Sequence, residues 1–237
     1  MTEPLVDLTD KVILVTGAGG GMGRSHVELL TGLGARVIAT DVFVPEGPAD
    51  WNTELNVTDR AAWDRVMDGI RERYGRLDVL VNNAAIYKLD EIDTMTEDDL
   101  RLTLDINLIG PILGIQSALP LLGDGASVIN LSSLAGIKGH AAAIAYSTSK
   151  FGILGATRSL AHQLGPRGIR VNAICPGGID TPMISEEARQ GGGWVLKNPI
   201  RRVGRPSEIS NMVAFLASDA SSYCTGHEFV VDGGQIA

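Results

Sequence analysis

The chain has 237 residues, 44% hydrophobic and 20% charged, a globular composition that excludes a disordered or fibrous protein. Twenty Lys and Arg against 28 Asp and Glu leave a formal charge of −8, which argues against a nucleic-acid partner held by bulk charge. Two cysteines, Cys175 and Cys224, make neither a disulfide framework nor a zinc module, and no metal site is expected.

From the amino end, MTEPLVDLTD is acidic rather than basic-then-apolar, so no signal peptide is read there and a cytoplasmic protein is expected. Short β-branched runs then recur: 11–16 (KVILVT), 35–41 (ARVIATD), 77–82 (LDVLVN), 127–131 (SVINL), 169–175 (IRVNAIC) and 228–231. They lack polar alternation, as strands buried on both faces do. Helical patterns lie between them at 21–33, 59–74, 97–122, 146–164 and 206–216. A further strand is expected near Leu55. The stretch from Asp41 to it is about a dozen residues and holds Pro45, Gly47 and Pro48, which predicts an irregular crossover and a thinly covered flank. Thr96 with Asp99 makes a capping box for the central helix, and Pro206 with Glu208 opens the last one. The most apolar stretch, 108–122, is broken by Gly110, Pro111, Gly114 and Pro120 and is too short for a bilayer, so no membrane is expected. Strand–helix alternation over the whole length predicts one α/β domain, 1–237, with a doubly wound parallel sheet of about seven strands.

The glycines are placed, not scattered. Gly17, Gly19, Gly21, Met22 and Gly23 lie where the first strand turns into the first helix. A pyrophosphate needs backbone N–H groups at close range there, and side chains would hold it away. Asp41 ends the second strand, where a carboxylate can accept both hydroxyls of an adenosine ribose and repel a 2′-phosphate. Loop and carboxylate together favour NAD over NADP. A flexible turn and a strand-end aspartate are the plainer readings of the same residues.

Other unusual residues follow later strands. Asn82, Asn83, Ala84 and Ala85 come after the fourth, Ser132 and Ser133 after the fifth, and Pro176, Gly177 and Gly178 after the sixth. That is the edge where open α/β sheets bind ligands. Tyr146 and Lys150, at i and i+4 on the next helix, share one face.

The ordered set TGAGGGMG, NNAA, SS, YSTSK and CPGGIDTP, with VVDGG near the end, resembles the single-domain short-chain dehydrogenase/reductase family over nearly the whole chain. The resemblance implies a Rossmann-type sheet and a catalytic set of Asn107, Ser133, Tyr146 and Lys150. It implies coenzyme contacts from Asn56, Val57, Asn83 and Ala84, and from Pro176, Gly177, Ile179 and Thr181 around the nicotinamide. It also implies a homotetramer or homodimer built on the helices at 97–122 and 146–164. Two positions depart from the family pattern: Ala85 stands for a glycine, and Asn56 for an aspartate beside the adenine.

A tyrosine titrates at about 10 and is a poor base at neutral pH. A Lys150 ammonium nearby, with the charge of an oxidised nicotinamide, is expected to lower that value, so that Tyr146 exchanges a proton with an alcohol or carbonyl oxygen held by Ser133. Asn107 is implied to support a water leading from Lys150 to solvent. An insertion at 182–205, with glycines at 191–193, reads as a mobile lid carrying Met183, Ile184 and Trp194. Leu134, Ala135, Ala141, Ala142 and Ile144 are read as the opposite wall, with Tyr87 and His140 as polar contacts. Such a pocket suits a small hydrophobic, cyclic secondary alcohol or its ketone. Arg201, Arg202 and Arg205 form a basic cluster that either makes ion pairs or attracts an acidic carrier. A 3-oxoacyl-carrier reductase and a non-catalytic nucleotide sensor are the alternative functions.

Overall fold

Buried β-branched runs must pair their N–H and C=O groups, so they associate edge to edge. The computed structural model describes residues 6–237 and places seven runs in one sheet. They are β1 (Val12–Thr16), β2 (Arg36–Asp41), β3 (Trp51–Glu54), β4 (Leu77–Asn82), β5 (Leu122–Leu131), β6 (Arg170–Pro176) and β7 (Glu228–Val231). Their order is β3-β2-β1-β4-β5-β6-β7, and every pair is parallel. The chain reverses its direction of travel across the sheet between β1 and β4, which opens a crevice at their carboxyl ends.

The helices are α1 (Gly21–Gly32), α2 (Arg60–Tyr74), α3 (Glu97–Leu104), α4 (Gly110–Ala118), α5 (Ala135–Lys138), α6 (Ile144–Leu164), α7 (Glu186–Arg189) and α8 (Pro206–Ala217). One face of the sheet is covered by Trp63, Val66 and Ile70 of α2, Ile115 of α4 and Leu164 of α6. The other is covered by Val27 and Leu30 of α1 with Ile209, Val213 and Leu216 of α8. No helix among the described residues is long and apolar enough to cross a membrane.

The crossover from β2 to β3 is irregular, as expected, and Val42, Phe43 and Val44 on it are exposed. The central helix differs from expectation. Instead of one helix over 97–122, α3 passes through a π-helical turn, Asp105–Ile109, into α4. Pro111 has no N–H to give the Asn107 carbonyl four residues back, so the regular ladder cannot run through this point. Pro120 then ends the helical course, and Leu122 already pairs with Leu77, so β5 begins before Ser127. Of the Thr96 capping box only the N-cap half forms: the Thr96 hydroxyl oxygen accepts the Asp99 N–H at 3.1 Å, and the Asp99 carboxylate accepts the Thr96 hydroxyl at 2.8 Å instead of reaching the Thr96 N–H.

Candidate active site

The turn from β1 into α1 is glycine for steric reasons. A Cβ on Gly17 (φ +65°) would lie 2.7 Å from Ala84 Cα, and one on Gly23 would lie 2.0 Å from the Gly17 oxygen. No side chain caps the first turn of α1, so its N–H groups remain for an anion. Asn83 braces the turn from β4, its amide donating to the Thr16 and Gly17 carbonyls at 2.9 and 3.0 Å. Thr16 Oγ1 accepts the N–H groups of Asn83 and Ala84, both at 3.1 Å. Asp41 reaches across from β2: Oδ2 accepts the Gly19 N–H at 2.9 Å and Oδ1 the Val42 N–H at 2.7 Å. This cradle of bare backbone, beside one carboxylate, fits the pyrophosphate and ribose of a nicotinamide dinucleotide.

The residues after β6 form a strap on the far side of the crevice. Pro176 oxygen accepts the Leu134 N–H at 3.1 Å, and Gly177 N–H donates to Val231 at 3.0 Å. Ile179 bridges to Gly204, and Asp180 N–H reaches the Gly204 oxygen at 2.8 Å. Thr181 faces the glycine turn, its Cγ2 3.5 Å from where a Gly21 Cβ would stand. The segment read as a lid is folded onto this strap. Arg189 pairs with Asp180 at 3.1 Å and donates to the Thr181 oxygen at 2.6 Å. Trp194 lies where a side chain on Gly178 would be, its ring 2.1 Å from that Cβ position.

Tyr146 and Lys150 stand in the early turns of α6, facing the end of β5. Ser133 stands beside the Tyr146 phenol and favours its ionised form, and Ser133 Oγ accepts the Ala135 N–H at 3.1 Å. Lys150 is buried, its Nζ 5.6 Å from the centre of the Tyr146 ring and donating to the Leu131 oxygen at 2.7 Å. Asn107 sits in the π-helical turn, buried. Its Oδ1 accepts the Ile86 N–H, and its Nδ2 donates to the Ile86 oxygen, both at 2.9 Å, and to Ser149 Oγ at 3.2 Å.

The protein groups alone shift the phenol upward; the expected lowering includes the charge of an oxidised nicotinamide. Burial pushes Tyr146 above its ordinary value, opposed by the Ser133 hydrogen bond, while the neighbouring Tyr87 adds to the rise. Burial also brings the Lys150 ammonium down to about 8. Within the protein, desolvation is the largest cause of both shifts. Cys175, buried behind them, is pushed up to about 11, chiefly by burial.

The remaining predicted residues divide. Tyr87 meets the Tyr146 ring edge-on, centroids 5.0 Å apart. Leu134 is buried beside the strap. Met183 is exposed. His140 is also exposed and lines an outer recess of about 650 Å³ with Ile144 and Phe151. Asn56 uses its oxygen locally, accepting from Thr58 N–H and hydroxyl at 3.0 and 2.8 Å. Val57 is buried against Gly110. Of the basic cluster, Arg202 holds both oxygens of Glu208 at 2.7 and 2.6 Å and Arg205 lies 3.6 Å away, which is the ion-pair arrangement. Among the described residues no group of three or more His, Cys, Asp and Glu could hold a metal. The sequence reading passed over Thr16 and Asp90. Thr16 carried a weak signal, a hydroxyl directly before the glycine turn.

Comparison with known proteins agrees with this geometry. Residues 17–235 match the sequence family described as Enoyl-(Acyl carrier protein) reductase. The chain is 38% identical to a trans-4-hydroxycyclohexanecarboxylate dehydrogenase of Sinomonas cyclohexanicum, over 97% of this chain and 94% of the relative. It is 40% identical to a 3-alpha-(or 20-beta)-hydroxysteroid dehydrogenase of Mycobacterium bovis, over 97% and 91%. A 3-oxoacyl-(acyl-carrier-protein) reductase of Thermotoga maritima is 38% identical, over 97% and 99%. The aldohexose dehydrogenase of Thermoplasma acidophilum superposes with a TM-score of 0.89 at 36% identity, covering 96% of this chain and 94% of its own. With its seven-stranded parallel sheet, glycine turn and tyrosine–lysine helix, the chain belongs to the short-chain dehydrogenase/reductase family of nicotinamide-dependent oxidoreductases.

Proposed function

We propose that the protein is an NAD-dependent dehydrogenase that interconverts a hydrophobic, cyclic secondary alcohol and its ketone. The observation that carries this reading is the meeting of Tyr146, Ser133 and Lys150 at the carboxyl edge of the sheet. Gly17, Gly19, Gly21, Met22 and Gly23 would hold the pyrophosphate, Asp41 the adenosine ribose, Asn56 and Val57 the adenine, and Pro176, Gly177, Ile179 and Thr181 the nicotinamide side. The coenzyme supplies the hydride acceptor or donor. Tyr146 Oη takes the hydroxyl proton of the alcohol, or returns one to the ketone. Ser133 Oγ orients the same substrate oxygen. Lys150 is an ammonium below about pH 8, and in that form it favours the phenolate. Asn107 fixes the loop after β4 through Ile86.

Asp41 supports NAD: its carboxylate points at the glycine turn, where a 2′-phosphate would meet a like charge. The names of two relatives, acting on a cyclohexane ring and on steroids, support a cyclic alcohol. Leu134 and Tyr87 supply matching walls. The Thermotoga relative supports a 3-oxoacyl reductase as the second reading, and a comparison of NAD with NADP turnover separates the two. Exposed Leu102, Ile109 and Phe151 on α3, the π-helical turn and α6 support a homo-oligomer joined through these helices.

Tyr146→Phe tests the assignment. NAD binding should persist while alcohol oxidation falls by about 10²–10⁴-fold. Unchanged turnover refutes it.

A further inference from the structure

Building on that role for Tyr146, we infer that Asp90 is a positioning residue for the phenol: it ties the loop after β4 to the first turn of α6 and so sets where Tyr146 stands. α6 starts without a cap of its own, because Ala143 has no side-chain acceptor. Its first N–H groups are met by a carboxylate from 54 residues earlier in the chain. Asp90 Oδ1 accepts the Ile144 N–H, and Oδ2 accepts the Ala145 N–H at 3.3 Å. The Asp90 N–H in turn donates to the Ala142 oxygen at 2.9 Å. The side chain is only 8% exposed, so water competes poorly for these bonds. A negative charge here also faces the positive end of a 21-residue helix.

Tyr146 is the next residue after this clamp. The same loop is held at its other end by Asn107, which grips both polar backbone atoms of Ile86. Between the two clamps stands Tyr87, its ring at 86° to that of Tyr146. The phenol is thus fixed from below by α6 and from the side by a ring whose own segment is tied to α6. Misplacing a reacting group by about 1 Å can cost about 100-fold in rate.

The test uses the full-length enzyme with NAD and either trans-4-hydroxycyclohexanecarboxylate or a hydroxysteroid as the alcohol. Asp90→Ala should lower kcat by about tenfold or more while NAD affinity, read by fluorescence titration, stays within about twofold. Asp90→Asn keeps one acceptor and should retain more activity than the alanine variant. Asp93→Ala, an exposed neighbour on the same loop, should match the parent. A folded Asp90→Ala enzyme with parental kcat overturns the inference, and so does a loss of NAD affinity as large as the loss of kcat. If the alanine variant does not fold, the asparagine variant decides, and parental kcat there overturns it equally. Turnover in Tyr146→Phe would instead sink the catalytic reading itself. An inactive Tyr146→Phe beside a fully active Asp90→Ala sinks only the role of Asp90.

Discussion

The Asp41 carboxylate holds the Gly19 N–H at 2.9 Å, so one side chain both closes the glycine turn and carries the charge that would face a bound adenosine. Replacing it separates the two effects. Asp41→Ala should weaken NAD binding and narrow the preference over NADP by about tenfold or more, since like-charge repulsion in a partly dry pocket is lost. Asp41→Asn keeps an acceptor for Gly19, so it should narrow the preference with a smaller loss of NAD affinity. Steady-state comparison of the two coenzymes measures both.

Gly23 is the tightest point of the cradle. A methyl group there would overlap the Gly17 carbonyl at 2.0 Å and press the Asn83 amide at 2.8 Å. Gly23→Ala should therefore displace the turn, with coenzyme affinity falling about tenfold or more and stability by about 1–3 kcal/mol. Equilibrium titration with NAD and a thermal melt read the two losses separately.

Lys150 is destabilising in the fold that needs it. Burial lowers its ammonium to about 8 from 10.5, so the unfolded chain holds this proton more tightly than the native one. Stability from this group rises with pH between those two values, and below pH 8 the native state carries the full penalty. Lys150→Met should thus raise stability at pH 7 by about 1–3 kcal/mol, lose alcohol turnover, and lose its stability advantage by about pH 10. Denaturant melts across that range check the crossing.

His26 gives an acid-side counterpart. It is sealed between α1 and α8 with Nδ1 2.8 Å from Ser210 Oγ, and burial takes it down to about 3 from 6.5. The unfolded state gains a proton below pH 6.5 that the native state refuses until about pH 3. Stability should fall by up to about 5 kcal/mol across that window, and His26→Gln should flatten the fall. A parental acid limb in that variant would contradict the assignment.

What could be read in the sequence was what depends on near neighbours. The runs 11–16 and 77–82 announce buried strands by their own side chains, and Tyr146 with Lys150 needs only one helical turn to meet. The break in the long helix was half legible: Pro111 and Pro120 were visible as breakers, yet the apolar density around them favoured continuity. Asp90 was invisible because its partners are backbone N–H groups 54 residues away, and no residue type at Ile144 or Ala145 advertises the need. The rise that burial imposes on Tyr146 was not legible for a related reason. Attraction to Lys150 follows from spacing, but desolvation depends on everything packed around the pair, and the charge interaction with Tyr87 comes from a residue 59 positions away.

Trp194 rests in a notch that exists only because Gly178 has no side chain, and Gly178 belongs to the strap that would touch the nicotinamide. Roof and floor of the proposed reaction chamber thereby share a joint, beside the Arg189–Asp180 pair. Whatever seats the strap also seats the roof, which makes sequential traffic the expected kinetics: coenzyme enters first and departs last. Product-inhibition patterns would show NADH competing with NAD alone, and Gly178→Val should scramble that order.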